Sequence, residues 1–527
     1  MEHRKEVIKI LPHIIEKSAK LYPRKDAFRF GDRAVSFKAL HDKTNQLAQH
    51  LIESGIKKGD RVGVYMNRCL ETAIAIYGIM KAGSAYVPLD AMVPHERTLF
   101  LLQDCGIEFL VTTPQQTKRV RKLLERNSPL KQIIGISEPV ALPSFSWDAI
   151  FEIDISTYQP IEISEKDLAY IMYTSGSTGA PKGIMHSHSS GLAYAKLSAA
   201  LYEVGSEDRV ANHAPLHFDI STFGYFSAPL RGATTIIISD AHTKLPASLI
   251  QLMAKEKLSI WYSVPLALIQ LHQSGLLPNY DLSPLRWVIF GGEVFTVKYL
   301  RELMLQWPHA RFSNSYGPAE INQCTFYHLK NIPKGDSTVP IGHVWGNNTY
   351  KILDSEDCEV SQGTAGELVV NTATMMMGYW NNEILTGQSV YTELSASDVS
   401  QDYYRTGDLV RQNAAGELLF LGRNDRQVKI RGYRIEMDEV EAVLSRHKEV
   451  KEATVCAVEN SNGEKQLLSA VIINPRSQID ANGLLRYCRS RLPVYAIPSK
   501  IYILDDFPRT GSGKIDLTGI KQKLIAI

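Results

Sequence analysis

Apolar and polar positions fall into blocks along this chain, and the texture of the blocks changes twice. From about residue 60, short apolar runs of strand length alternate with segments whose apolar residues recur every three or four positions. Residues 61–65, 85–89 and 108–112 read as strands, and 71–81, 94–103 and 115–126 as helices. An apolar strand at 168–172 leads into a glycine-rich stretch, and a helix is expected after Gly183. The rhythm then returns, with helical patterns at 192–201, 246–255 and 298–306 between apolar runs at 235–239, 259–264 and 286–290. Strands alternating with helices predict α/β architecture, with largely parallel sheets covered on both faces. Two such series predict two stacked α/β subdomains. Beyond Lys330, turn-bounded strands at 366–370 and 416–420 predict a β-rich subdomain. The last stretch mixes helices at 437–445 and 481–491 with strands at 453–458, 466–473 and 501–504, a small α+β domain. The charged run Gly422-Arg-Asn-Asp-Arg426 precedes it, so the predicted division is a large domain, 1–424, and a small one, 425–527.

The densest chemistry lies in Tyr173-Thr-Ser-Gly-Ser-Thr-Gly-Ala-Pro-Lys-Gly183. Glycines let backbone N–H groups approach phosphate oxygens, hydroxyls add donors, and a lysine adds charge. The stretch is not a Walker A loop, which needs glycine before its lysine and a hydroxyl after it. Here Lys182 stands between Pro181 and Gly183. Four further motifs follow: Asn314-Ser-Tyr-Gly-Pro-Ala-Glu320, Tyr404-Arg-Thr-Gly-Asp-Leu409, Gly422-Arg-Asn-Asp-Arg-Gln-Val-Lys-Ile-Arg-Gly432 and Phe507-Pro-Arg-Thr-Gly-Ser-Gly-Lys-Ile-Asp516.

In this order the motifs resemble those of the adenylate-forming superfamily, which holds acyl-CoA synthetases, luciferases and the adenylation domains of non-ribosomal peptide synthesis. The likeness runs from Val35-Ser-Phe-Lys-Ala-Leu40 to Lys514. It implies a small, mobile C-terminal domain and ATP and Mg²⁺ as cofactors. Thr174, Ser175, Gly176, Ser177, Thr178, Gly179 and Lys182 would hold the β- and γ-phosphates. Tyr316 would stack on adenine, framed by Asn314, Ser315 and Gly317, and Glu320 would hold Mg²⁺. Asp408 would accept the ribose hydroxyls with Arg423 close by, Asp425 would be a hinge, and Lys514 would be catalytic. One carboxylate among phosphates is a usual Mg²⁺ arrangement. The chain departs from the family at Ala319, where most relatives carry a threonine whose hydroxyl contacts the α-phosphate.

The resemblance also implies a substrate. His217-Phe-Asp-Ile-Ser-Thr-Phe223 places Asp219 where amino-acid-activating members pair with an α-ammonium. An unpaired carboxylate beside an apolar acyl chain would be costly, although an aspartate at such a turn also suits a helix cap. Motif alignment gives Ile220, Phe223, Tyr262, Ile289, Gly291, Ser315, Gln323 and Cys324 as the rest of the pocket. Without a second charge and with two aromatic rings, that pocket suits a small or compact apolar side chain. Chain-wide, the sequence is most similar to free-standing prolyl-activating ligases that load proline onto a carrier protein. Alanine, valine and other small amino acids are alternatives. An acyl-CoA synthetase of a small or aryl acid is the enzymatic rival, and a nucleotide-binding regulator on a retired scaffold is the non-enzymatic one.

Size and charge narrow the classes further. The chain has 527 residues, 44% of them hydrophobic, and must form more than one domain. Lys+Arg 58 against Asp+Glu 56 gives a formal net charge of +2, so no global field argues for nucleic acid. The six cysteines show no metal-ligand spacing and suit a reducing cytoplasm. The N-terminus is too charged for a signal peptide, and no apolar run reaches membrane-spanning length. The chain ends soon after Lys514, so a phosphopantetheine-bearing carrier protein is expected on another polypeptide.

Overall fold

The computed structural model describes residues 7–156, 158–176, 180–335, 337–394, 400–460, 465–475, 477–509 and 515–526. They divide into two compact units. The larger takes in the described residues up to Ala91, Leu102–Met172 and Gly183–Asn424; the smaller takes in Met92–Leu101, Tyr173–Lys182 and those from Asp425 onward.

In the larger unit the two predicted α/β series become two sheets. A nine-stranded sheet runs, in spatial order, through His343–Val344, Thr325–Leu329, Arg311–Tyr316, Trp287–Gly291, Ile260–Ser263, Arg209–Asn212, Thr234–Ile237, Asp26–Phe30 and Arg33–Ser36. Its interior pairs are parallel and its two ends antiparallel. An eight-stranded sheet has Leu168–Thr174, Ala85–Pro88, Arg61–Tyr65 and Phe109–Thr112 at its centre. The last three of those strands are buried on both faces, which explains their unbroken apolar runs. One apolar core serves both sheets. Tyr86 stacks on Tyr170, Tyr170 meets Phe226, and Phe226 meets Tyr77 edge-on. A third, antiparallel sheet contains Thr349–Leu353, Ala365–Asn371, Ser400–Gln412, Val390–Leu394 and Leu418–Arg423.

The smaller unit combines the hairpin Gln427–Ile430/Tyr433–Glu436 with a three-stranded sheet, Val450–Glu459, Lys465–Ile473 and Lys500–Ile503. Helices Met437–Ser445 and Ala481–Arg489 cover it with an apolar face that includes Val440, Leu444 and Leu484. None of the six cysteines forms a disulfide. Among the described residues no helix is long and apolar enough to cross a membrane.

One element differs from the sequence expectation. The segment after the glycine loop is a strand, Lys182–Ser187, and the helix begins only at His188. Lys182–Ser187 neighbours Leu168–Thr174 in the sheet, so the motif is strand–loop–strand. Pairing with the sheet outweighs helix formation until Ser187, whose hydroxyl caps the Ser190 N–H at 3.1 Å. The loop therefore does not open a helix, and a phosphate there would meet loop donors without a helix dipole behind them.

Candidate functional site

The strand Arg311–Tyr316 ends at the carboxyl edge of the nine-stranded sheet, where parallel sheets bind ligands. Register places Asn314 opposite Phe290 and Ser315 opposite Gly291 on the neighbouring strand. The chain then reverses. A side-chain carbon on Gly317 would lie 2.2 Å from the Asn322 carbonyl oxygen, so only glycine fits. The turn closes with Cys324 N–H donating to the Tyr316 carbonyl at 2.9 Å. Asn314 Nδ2 donates to the Pro340 carbonyl at 2.8 Å.

The Tyr316 hydroxyl donates to one oxygen of Asp408, and Arg423 Nη1 donates to the other. Asp408 and Arg423 are cross-strand partners in the third sheet, so their meeting follows from register. Arg423 is steadied by the Thr406 carbonyl at 3.1 Å. Burial first, and the Asp408 charge next, raise the Tyr316 phenol, which stays protonated and donates. A carboxylate has about four acceptor sites, so Asp408 keeps room for a diol.

Glu320 follows on the same turn and is fully buried. Tyr379 Oη donates to its carboxylate at 2.7 Å, and its carbonyl accepts from Met376 N–H at 2.7 Å. Among the described residues no three His, Cys, Asp or Glu side chains form a metal-binding group. Glu320 would therefore hold a cation jointly with phosphate and water oxygens, which fits Mg²⁺ and its preference for hard oxygen donors.

Asp219 lies in a turn just before the π-helical segment Phe223–Ser227. Its Oδ1 accepts from the Ile220 N–H at 2.8 Å, and its carbonyl from the Thr222 N–H at 2.9 Å. Three buried phenols lie within its field. Tyr170, Tyr194 and Tyr262 are each raised, chiefly by burial and in part by the Asp219 charge.

Behind Asp219 lies an aromatic cluster. Phe223 meets Tyr262 edge-on at 5.7 Å and Tyr202 at 5.8 Å. Tyr262 and Ser315 hydroxyls are hydrogen-bonded at 2.9 Å, and Gln323 Nε2 donates to the Tyr202 hydroxyl at 3.0 Å. Ile289 packs in this cluster and Ile220 against it. The structure thus brings Asp219, Ile220, Phe223, Tyr262, Ile289, Ser315 and Gln323 together. Cys324 packs with Tyr316, Ile321 and Ile341 on the turn that follows Tyr316. Tyr170, Tyr194 and Tyr202 join the site without belonging to any of the sequence motifs. Tyr194 and Tyr202 stand eight residues apart, a spacing that puts both on one helix face, and their two aromatic rings are the available signal.

The glycine loop and the lysine loop are described only in part. Ser177, Thr178, Gly179 and Lys514 lie outside the described residues. Ser175 Oγ donates to the Arg434 carbonyl at 2.8 Å and accepts from the Glu436 N–H at 3.2 Å, within the smaller unit. Thr174 Oγ1 is buried without a hydrogen-bond partner among the described residues. A side-chain carbon on Gly176 would lie 2.0 Å from the Ala180 carbonyl oxygen. An orphaned hydroxyl at Thr174 fits an outside acceptor such as a phosphate-bound water or an oxyanion. Lys182 lies within electrostatic reach of Glu436, whose carboxyl is raised by burial. Asp425 opens the smaller unit's last segment and accepts from the Gln427 N–H at 3.0 Å. Arg509 and Ile515 pair across the lysine segment.

Known proteins agree with this layout. The AMP-binding enzyme family model matches residues 15–380, and the AMP-binding enzyme C-terminal domain model matches 439–514. An L-proline–[L-prolyl-carrier protein] ligase from Pseudomonas fluorescens is 32% identical over 511 residues, covering 97% of this chain and 98% of that protein. One polypeptide of the linear gramicidin synthase from Brevibacillus parabrevis is 34% identical over 510 residues, covering 95% of this chain and 9% of that one. The chain thus spans under a tenth of the synthase polypeptide and nearly all of the ligase. In structure, the Vibrio cholerae adenylation domain AlmE in complex with glycyl-adenosine-5'-phosphate superimposes with a TM-score of 0.83 at 23% identity, covering 100% of both chains, a likeness of fold. The chain belongs to the AMP-binding enzyme family and is an adenylate-forming ligase.

Proposed function

From that membership we propose that the chain activates an amino acid as its adenylate and passes it to a carrier protein. L-proline is the leading candidate. An amino-acid carboxylate oxygen attacks the α-phosphorus of ATP, the bond to the β-phosphate oxygen breaks, and pyrophosphate leaves. A phosphopantetheine thiol on a separate carrier protein then attacks the carbonyl carbon. The thioester forms, AMP departs, and the thiol proton goes to solvent.

Each residue takes one part. Asp219 holds the substrate ammonium, and Phe223 and Tyr262 limit the length of its side chain. Tyr316, with Asn314, Ser315 and Gly317, seats adenine, while Asp408 and Arg423 receive the ribose. Thr174, Ser175, Gly176, Ser177, Thr178, Gly179 and Lys182 grip the phosphates that depart. Magnesium on Glu320 supplies charge neutralisation at the phosphates when bound. Lys514 neutralises charge that builds at the attacking carboxylate and the α-phosphate. Cysteines without disulfides suit a reducing cytoplasm.

The observation that carries this reading is Asp219, a half-buried carboxylate in the turn that leads into the aromatic cluster of Phe223 and Tyr262. An organic ammonium matches Asp219 in both charge and hydrogen bonding.

Pyrophosphate exchange across the common amino acids tests the proposal, with proline first. Lys514→Ala should slow amino-acid-dependent exchange by about 10²–10³-fold. Exchange driven by small or aryl acids lacking an ammonium, undiminished in Asp219→Ala, would establish the acyl-CoA synthetase instead.

A further inference from the structure

Behind the Ala319–Glu320 turn stands a histidine that the proposed reaction does not call for. His186 lies on the strand Lys182–Ser187 and is buried, and burial lowers its imidazole to about 4. The ring is therefore uncharged at neutral pH. It stacks on Tyr170 at 4.9 Å with 21° between planes, and Tyr170 stacks in turn on Tyr86 at 5.3 Å. Its Nε2 is 2.9 Å from the Ala319 carbonyl oxygen. A carbonyl only accepts, so Nε2 carries the proton, and Nδ1 faces the Ser190 hydroxyl at 3.3 Å as an acceptor. Stacking fixes the ring plane, and with it the direction from which the N–H meets the carbonyl.

That carbonyl belongs to the peptide entering Glu320. Residue 319 is an alanine, so its side chain gives the turn no hydrogen bond of its own. The main chain around Glu320 is gripped instead from both sides, by His186 on the Ala319 carbonyl and by Met376 N–H on the Glu320 carbonyl. We propose that His186 is a positioning residue for Glu320: by holding the Ala319 carbonyl it sets the angle at which the Glu320 carboxylate meets a phosphate-bound cation. The inference rests on the reading of Glu320 as the magnesium carboxylate. An apolar side chain would fill the same space but leave the carbonyl only the long 3.4 Å bond from the Asn322 N–H, a loss that is costly where water cannot enter.

Calorimetric binding of ATP with magnesium, and of ATP in EDTA, separates positioning from packing. His186→Phe keeps the stacked ring and removes the donor. It should weaken magnesium–ATP binding by about ten-fold and leave metal-free ATP binding unchanged. His186→Gln restores an N–H at similar reach and should stay within about three-fold of the parent protein. A Phe variant that binds magnesium–ATP as tightly as the parent overturns the proposal, and so does one that loses both binding modes equally. The parent protein supplies a second readout that needs no variant. The nitrogen-15 resonance of His186 Nε2–H should move on adding magnesium–ATP and stay put with ATP in EDTA. A resonance that ignores the metal overturns the assignment. A parent protein that binds ATP equally with and without magnesium overturns the reading of Glu320 itself, which is a different failure.

Discussion

Glu320 and Asp219 are both carboxylates of the larger unit, yet the fold holds them in opposite ways. Glu320 is fully buried and gripped on its carbonyl, on the carbonyl before it and on its carboxylate. Asp219 is half-buried, and its local anchors come from its own turn, through the Ile220 N–H and the Thr222 N–H and hydroxyl. A carboxylate that takes a small, hard cation in a fixed coordination shell gains from rigidity. One that receives an organic ammonium, the role proposed for Asp219, needs an open approach. The same side-chain type is thus closed off at Glu320 and left accessible at Asp219.

The comparison breaks most sharply at Glu320. Replacing it with glutamine keeps shape and hydrogen bonds but removes the charge, and should cut pyrophosphate exchange by about 10³-fold with unchanged thermal unfolding. Asp219→Ala should raise the amino-acid KM by about 10²-fold while calorimetric ATP binding stays the same. If both variants lost ATP binding, the division of labour between the two carboxylates would be wrong. Tyr262→Phe sharpens the contrast on the amino-acid side. Losing the hydroxyl that meets Ser315 should cost less than about ten-fold in kcat/KM, with the ring and its contact to Phe223 retained. Enlarging the site with Tyr262→Ala should instead shift the preferred amino acid toward longer side chains, read in the same exchange panel.

The smallest effect is on stability. His188 and His213 are lowered by burial to about 4 and about 3. Unfolded histidine titrates near pH 6.5, so the unfolded chain takes up protons that the fold refuses as the pH drops from there toward 4. The stability these neutral rings contribute is complete above about pH 6.5 and fades below it. Differential scanning fluorimetry should show a fall of roughly 5 °C between pH 7 and pH 5.

Much of this is legible in the residues. Alternating blocks locate seven strands of the two large sheets to within about two residues, because strands buried on both faces carry continuous apolar runs, but they miss Arg209–Asn212 and Arg311–Tyr316. The motifs single out Tyr316, Asp408, Arg423 and Glu320, and the fold brings the first three into direct contact. Local pattern fails where sheet pairing decides the outcome. Lys182–Ser187 reads as the approach to a helix, since its neighbour Leu168–Thr174 contributes hydrogen bonds that no local window contains. The hairpin Asp26–Phe30/Arg33–Ser36 is silent for the same reason, because its burial comes from the strand Thr234–Ile237, far along the chain. His186 gives no sign of itself because its contacts lie across the core, and Tyr194 and Tyr202 signal only through their spacing.

The Tyr316–Asp408–Arg423 contact carries a consequence for sugar selection. Both oxygens of Asp408 are engaged before any nucleoside arrives. In the ribose role proposed for Asp408, its remaining acceptor sites would take both hydroxyls of a ribose but only one from a deoxyribose. On that proposal 2′-deoxy-ATP should support pyrophosphate exchange poorly beside ATP.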